Sequence, residues 1–218
     1  MYIIVVGAGR VGESLVKIAT ERGHNIVIVD KDENRCSEIA EKNDVMAICG
    51  DSTIKSILED AGARRADALA ATTKDDAVNL LTILVGKELE IQSLVSLVSQ
   101  PEHALMFRRI GANVMENPAS AVAEYLYRIL QRPSIRDFMS IGGGEAEIFE
   151  IVVTDKAFVV GKTLDSLRLA QKDALIVAIT RDDGIIIPRG DTVIKEGDRV
   201  TVFVLAKKIE ETTRLFTG

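Results

Sequence analysis

The chain has 218 residues, long for one compact domain and short for two large ones, so one domain of about 130 to 140 residues with a smaller companion is the natural division. Hydrophobic residues make up 47% of it and aromatics 4%, with no Trp, so its core is built mainly from Val, Ile, Leu and Ala, which suits a parallel sheet buried on both faces. The 27 basic residues are outnumbered by 33 acidic ones, and a net charge of −6 supplies no electrostatic footprint for nucleic acid or anionic lipid.

Met1 is followed directly by Tyr2-Ile3-Ile4-Val5-Val6 and a glycine, too short and wrongly flanked for a signal peptide. No apolar run approaches the ~20 residues of a membrane helix. Direct membrane insertion is therefore not expected, and any membrane role would come through a partner. The two cysteines, Cys36 and Cys49, stand in unrelated contexts without metal-ligand spacing. They read as reduced, partly buried thiols, with no metal site expected, and fit a cytoplasmic protein.

Short β-branched runs alternate with longer amphipathic segments through about residue 131, the pattern of repeated βαβ units. Strands are expected at Tyr2–Val6, Asn25–Asp30, Val45–Cys49, Ala68–Ala71, Ser93–Val98 and Asn113–Met115. A helix over Pro118–Leu130 opens on proline and carries Val122, Leu126, Ile129 and Leu130 on one face, which packs either on its own domain or on a second chain. The breakers Arg132-Pro133-Ser134 and Gly142-Gly143-Gly144 place the boundary between domains of residues 1–132 and 140–218. Beyond it, strands are expected at Ala146–Val153, Ala174–Thr180, Gly184–Ile187 and Arg199–Leu205, with turns at Asp182-Asp183-Gly184 and Glu196-Gly197-Asp198 and helices over Thr163–Gln171 and Lys207–Phe216. The fold class is thus α/β, a Rossmann-type doubly wound parallel sheet followed by a small α+β domain.

Gly7-Ala8-Gly9-Arg10-Val11-Gly12 has the G-x-G-x-x-G spacing between an expected strand and an expected helix. Gly7 permits a tight turn, Gly9 admits a pyrophosphate close to the backbone, and Gly12 allows close packing of helix on strand. Asp30 closes the second strand 18 residues after Gly12, where a carboxylate can accept hydrogen bonds from both ribose hydroxyls. Lys31 adjoins it, with no arginine at the usual place for a 2′-phosphate, so NAD-type or simple adenine nucleotides are preferred over NADP. Arg10 is either a sensor of terminal phosphates or a solvated charge. Gly50-Asp51-Ser52-Thr53 and Ala71-Thr72-Thr73 end the third and fourth strands and point to the same crevice, with Ser52 and Thr73 equally suited to capping helices.

No group presents itself for chemistry. His24 lies in a turn, His103 at a helix start, and Lys74 reads as a solvated cation, so a catalytic role is not expected and an NAD-dependent oxidoreductase is the lesser alternative.

These residues resemble the regulatory subunits of Trk and Ktr potassium-uptake systems, built from RCK domains. The resemblance rests on the glycine motif, Asp30, Gly50-Asp51-Ser52-Thr53, Asp75-Asp76-Ala77-Val78-Asn79, Pro101-Glu102-His103, Ile110-Gly111-Ala112 and Asn117-Pro118. Looser matches are Gly161-Lys162-Thr163-Leu164 and Glu196-Gly197-Asp198-Arg199. It implies a cytoplasmic regulatory subunit, peripheral to the inner face of the cell membrane, that senses NAD(H) or ADP/ATP and gates a separate potassium transporter or channel. It further implies dimers assembling into a tetramer or octameric ring. A regulator of a different cation transporter fits the same modules. Two departures stand out: Leu97 where the family usually has an arginine directed at the phosphates, and Ala119 where many members have a glutamate connected with a cation between subunits. In some members the second domain holds cyclic dinucleotides; a second ligand at a dimer seam of this chain would be lined by Arg168, Ile186, Ile187 and Pro188, though strand packing explains the apolar three equally well.

Overall fold

The computed structural model describes residues 1–116, 118–182 and 184–218; Asn117 of the Asn117-Pro118 pair and Asp183 of the expected turn lie outside the described residues. The chain forms two compact units, Met1–Ala123 and Glu124–Gly218.

The first unit alternates β1 (Tyr2–Val6), α1 (Arg10–Glu21), β2 (Asn25–Asp30), α2 (Glu33–Asn43), β3 (Met46–Cys49), α3 (Lys55–Asp60), β4 (Ala68–Ala71), α4 (Asp76–Glu88), β5 (Ser93–Val98), α5 (Pro101–Arg109) and β6 (Asn113–Glu116), with α6 (Pro118–Gln131) following. The strands pair in the order β3-β2-β1-β4-β5-β6, all parallel. Alternate residues of each strand serve opposite faces. Val5, Ile26 and Ile28 pack on Val16 and Ala19 of α1 and Ile39 of α2, while Ile4, Val6, Val27, Val29 and Leu69 meet Leu58 of α3, Ile83 of α4 and Phe107 of α5. Burial on both faces is why the central strands β1, β2 and β4 are nearly continuous apolar runs instead of alternating.

The second unit contains β7 (Ile135–Ile141), β8 (Ala146–Val152), α7 (Leu164–Leu167), β9 (Ala174–Arg181), β10 (Gly184–Ile186), β11 (Arg199–Leu205) and α8 (Ile209–Thr217). Its antiparallel sheet has the order β10-β9-β11-β8-β7. One face carries the core, where Phe149, Ile151, Ile179, Val200, Val202 and Val204 pack against Ile209 and Phe216 of α8.

The division between these two units falls within α6, between Ala123 and Glu124. The C-terminal half of α6 belongs with the second sheet: the Tyr125 ring stacks on Phe138 of β7 at 5.1 Å, and Arg128 lies over the same ring while its guanidinium pairs with the buried Glu147 of β8. The stretch between the breakers forms β7, which the sequence pattern did not reveal. The register slips between Arg136 and Phe138, and Asp137 takes a left-handed φ of 36°. That bulge breaks the in-out alternation by which a strand is read. The helix expected over Thr163–Gln171 is likewise divided, because Arg168 ends α7 at φ 48° and a 3₁₀ turn, Leu169–Lys172, follows. At the end of the chain a 3₁₀ turn, Ala206–Lys208, precedes α8.

A buried ion pair closes the second sheet. Asp198, in the Glu196-Gly197-Asp198 turn, is 1% exposed; its Oδ1 accepts from Arg181 Nε at 2.7 Å and its Oδ2 from Arg181 Nη2 and the Lys195 backbone N–H, both at 2.8 Å. Burial by itself raises the Asp198 carboxyl, but the Arg181 and Lys195 hydrogen bonds outweigh it and hold the group below the usual carboxylate range. A depressed carboxylate contributes stability above its unfolded-state pKa of about 3.9, lost as pH falls through the lower folded value. Asp198→Asn is expected to cost about 3 kcal/mol at neutral pH, with the gap to the parent chain narrowing below about pH 4; urea unfolding of the full chain at neutral and acid pH measures both.

Candidate functional site

β1 and β4 are neighbours in the first sheet, yet the chain leaves β1 toward β2 and leaves β4 toward β5. The helices consequently part to opposite faces, and a crevice opens at the carboxyl ends of the strands, where ligands of such sheets bind. It has a volume of about 270 Å³ and is lined by the ends of β1 and β2, the loops after β3 and β4, and the first turns of α2 and α4.

The glycine loop is shaped by contacts with β4. Gly7 has φ 99°, and a Cβ there would stand 3.0 Å from the Thr73 backbone nitrogen. At Gly12 a Cβ would overlap the Gly7 carbonyl oxygen and stand 2.8 Å from Thr72 Oγ1. Thr72 Oγ1 in turn donates to the carbonyls of Val6 and Gly7 at 2.9 and 3.0 Å. Gly9 differs, since a Cβ there would meet nothing within 4 Å, and Gly9 itself lines the crevice. It precedes α1 without offering a side-chain cap, leaving the positive end of that helix open to an anion.

Asp30 faces the loop from the end of β2. Its Oδ2 accepts from the Ala8 backbone N–H at 2.6 Å and its Oδ1 from that of Asp32 at 2.9 Å. Each oxygen retains a lone pair for a further donor. Asp51, also in the lining, is held below the usual carboxylate range by hydrogen bonds from the Thr53 hydroxyl and backbone N–H. Lys31, Arg35 and Lys74 are the cations of the lining, and Arg35 lies 3.6 Å from Asp32.

The far wall is tied to the rest of the sheet through Asn79, which is fully buried. Its Oδ1 accepts from the Thr73 hydroxyl at 2.6 Å, and its Nδ2 donates to the carbonyls of Thr73 and Leu97 at 3.0 and 3.1 Å. Asp75 caps α4 by accepting from the N–H groups of Ala77 and Val78. Asp76 accepts from Ser99 and Gln100 N–H and pairs with His103 at 2.8 Å. Its burial raises the carboxyl, and these partners more than offset that, leaving it lowered.

Of the residues expected from sequence, Gly7, Gly9, Asp30, Lys31, Gly50, Asp51, Ser52, Thr72 and Thr73 line one crevice. Ala8, Arg10, Val11 and Gly12 do not. Ala8 contributes its N–H to Asp30, Gly12 packs inside the turn, and Arg10 and Val11 are exposed. Ser52 is buried and shares a 2.7 Å hydrogen bond with Thr82, so its hydroxyl serves the wall. Val6, Val29, Arg35, Lys74, Asp75 and Val78 complete the lining. Arg35 escaped the sequence reading although Asp32, which caps α2, places it in that helix's first turn beside Asp30. Leu97 lines a separate apolar groove with Val11, Leu15, Ile18 and Val95. Among the described residues, no group of three His, Cys, Asp or Glu side chains could hold a metal ion, and no helix is long and apolar enough to cross a membrane.

This strand order, with its glycine turn and terminal acid, defines a Rossmann-type module followed by a small antiparallel α+β unit. Family models described as the TrkA-N domain and the TrkA-C domain match residues 3–118 and 148–217, and the chain belongs to the TrkA family. It is 34% identical over 218 residues, the whole of both chains, to a Trk system potassium uptake protein TrkA homolog of Methanothermobacter thermautotrophicus. It is 32% identical to a TrkA homolog of Archaeoglobus fulgidus, with 99% of this chain matching 50% of that one, so it spans about half of that relative. Among solved structures, the GsuK channel superposes at TM-score 0.68 and 19% identity over all of this chain and 39% of its own. The GsuK channel bound to NAD superposes at 0.61 and 21%, over 94% and 37%. At these identities the two structures bear on the fold alone.

Because neither Gly7 nor Thr72 can withdraw without breaking the turn, Gly12→Ala is expected to destabilise the first unit by about 2 kcal/mol or more. Thermal unfolding of the full chain, followed by circular dichroism, reads this as a lowered midpoint.

Proposed function

We propose that this chain is a regulatory subunit that binds an adenine nucleotide, NAD(H) or ADP/ATP, in the crevice of its first unit and thereby governs potassium movement through a separate membrane transporter or channel. The observation that carries the reading is the juxtaposition of an uncapped helix start at Gly9 with the Asp30 carboxylate across one crevice. A phosphate at α1 meets unpaired N–H groups and the helix dipole, while ribose hydroxyls meet the free lone pairs of Asp30. Lys31, Arg35 and Lys74 supply the positive charge a polyphosphate requires.

The potassium role rests on kinship with the Trk uptake protein matched end to end. In this reading the chain works in the cytoplasm, peripheral to the inner face of the membrane, and consumes no ligand. It acts as a homo-oligomer, with dimers assembling into a tetramer or ring. No described residue of α6 is buried, and Val122, Leu126 and Leu130 are 60%, 55% and 81% exposed, which supports this helix as a contact with a second copy. Nucleotide then biases the transporter by its differential affinity for two assembly states.

Calorimetric titration with NADH, NAD, ADP and ATP is expected to give a Kd on the order of micromolar for at least one. Gly9→Ala separates ligand from fold: a methyl there meets no protein atom, so stability should change by no more than about 1 kcal/mol, whereas affinity should fall by roughly tenfold or more. Asp30→Ala should weaken every adenosine-containing ligand. Undiminished affinity in both variants would place the nucleotide elsewhere.

A further inference from the structure

The two cysteines, 13 positions apart in the chain, are brought together at the rim of the crevice. Cys36 is buried in the first turn of α2, and Cys49 ends β3 with its thiol exposed. Cys49 is the register partner of Asp30 in the parallel pairing of β2 with β3. The Cys36 thiol donates to the Asp30 carbonyl at 3.4 Å and to the carbonyl of Ile48, the residue before Cys49, at 3.7 Å. The Cys49 thiol donates to the Lys31 carbonyl at 3.7 Å. Burial, and after it the neighbouring Cys49, push the Cys36 thiol up to about 11. Asp30 is the other ionisable group that raises it.

The surroundings give this pair its significance. Arg35 precedes Cys36, Gly50 and Asp51 follow Cys49, and Asp30 and Lys31 accept from the two thiols; all five line the crevice. We propose that Cys36 and Cys49 form a redox-sensitive thiol pair, oxidised by low-molecular-weight disulfides, whose closure clamps the Asp30 end of the crevice and weakens nucleotide binding. The second half rests on the nucleotide reading above.

The steps balance. The exposed Cys49, as thiolate, attacks one sulfur of the small disulfide, releasing a thiolate and leaving a mixed disulfide. Cys36 then loses its proton and attacks the Cys49 sulfur, expelling the second small thiolate. Two protein thiols have given up two electrons and two protons, and the small disulfide has become two thiols. Burial of Cys36 makes the second step the slow one, since the thiolate is the attacking species. A disulfide holds its sulfurs about 2.05 Å apart, so closure replaces the hydrogen bonds to Asp30 and Lys31 and draws the start of α2 against the end of β3.

Incubation of the full chain with glutathione disulfide, at mildly alkaline pH, is expected to remove both titratable thiols and lower the mass by two hydrogens. Cys36→Ser should stop as a glutathione adduct on Cys49, and Cys49→Ser should leave Cys36 unreacted. Hydrogen exchange should slow across residues 30–36 and 49–52 on oxidation, and the Kd for NADH should rise roughly tenfold, with no change in Cys49→Ser treated alike. Two free thiols persisting after oxidation overturn the pair itself. A disulfide that leaves exchange in these segments unaltered overturns the clamp. Failure of the reduced chain to bind any nucleotide would refute the proposed function instead, while thiol counts and exchange would still decide the pair and its clamp.

Discussion

The first unit depends on the contact of Gly12 with the Gly7 carbonyl, which sets how closely α1 approaches β1 and β4. Thr72 reinforces it by donating to the two carbonyls that end β1, and Asp30 holds the intervening loop through the Ala8 N–H. Three strands thus cooperate to hold one turn. The motif glycines consequently answer to different constraints: Gly7 and Gly12 to the protein's own atoms, Gly9 to open space in the crevice. A spacing pattern in a sequence merges these demands, and only the packing separates them.

The two units are stabilised in different ways. In the first, the central strands are covered on both sides by apolar side chains, and the polar groups buried there, Asn79 and the Ser52–Thr82 pair among them, are hydrogen-bonded. The second covers one side of its sheet with α8 and pairs its buried carboxylates with arginine, Asp198 with Arg181 and Glu147 with Arg128 and Arg132. Such pairs offset their desolvation only when every oxygen is matched, and Asp198 meets that condition with three donors.

Much of the fold was legible because the parallel strands are short, apolar and punctuated by glycine or acid. The strand ends that face the crevice could be listed from their turns, which is why nine of the expected residues share one lining. What escaped has local causes. β7 was hidden by a bulge at Asp137, and the expected helix through Arg168 was cut by a left-handed residue with no glycine to announce it. Arg10 stands in the motif but outside the lining, whereas Arg35 lies in the lining but outside the motif. The proximity of Cys36 and Cys49 follows from the pairing of β2 with β3, a long-range fact that spacing along the chain does not encode.

Asn79 has a mechanical consequence. Through it Thr73 at the crevice wall is fastened to the carbonyl of Leu97 in β5, and three residues earlier Asp76 fastens the start of α4 to the backbone at the start of α5. The wall after β4 is therefore no loose flap. It is braced from behind by α4 and by the backbone that opens α5, so a ligand pressing on it meets a hydrogen-bonded framework.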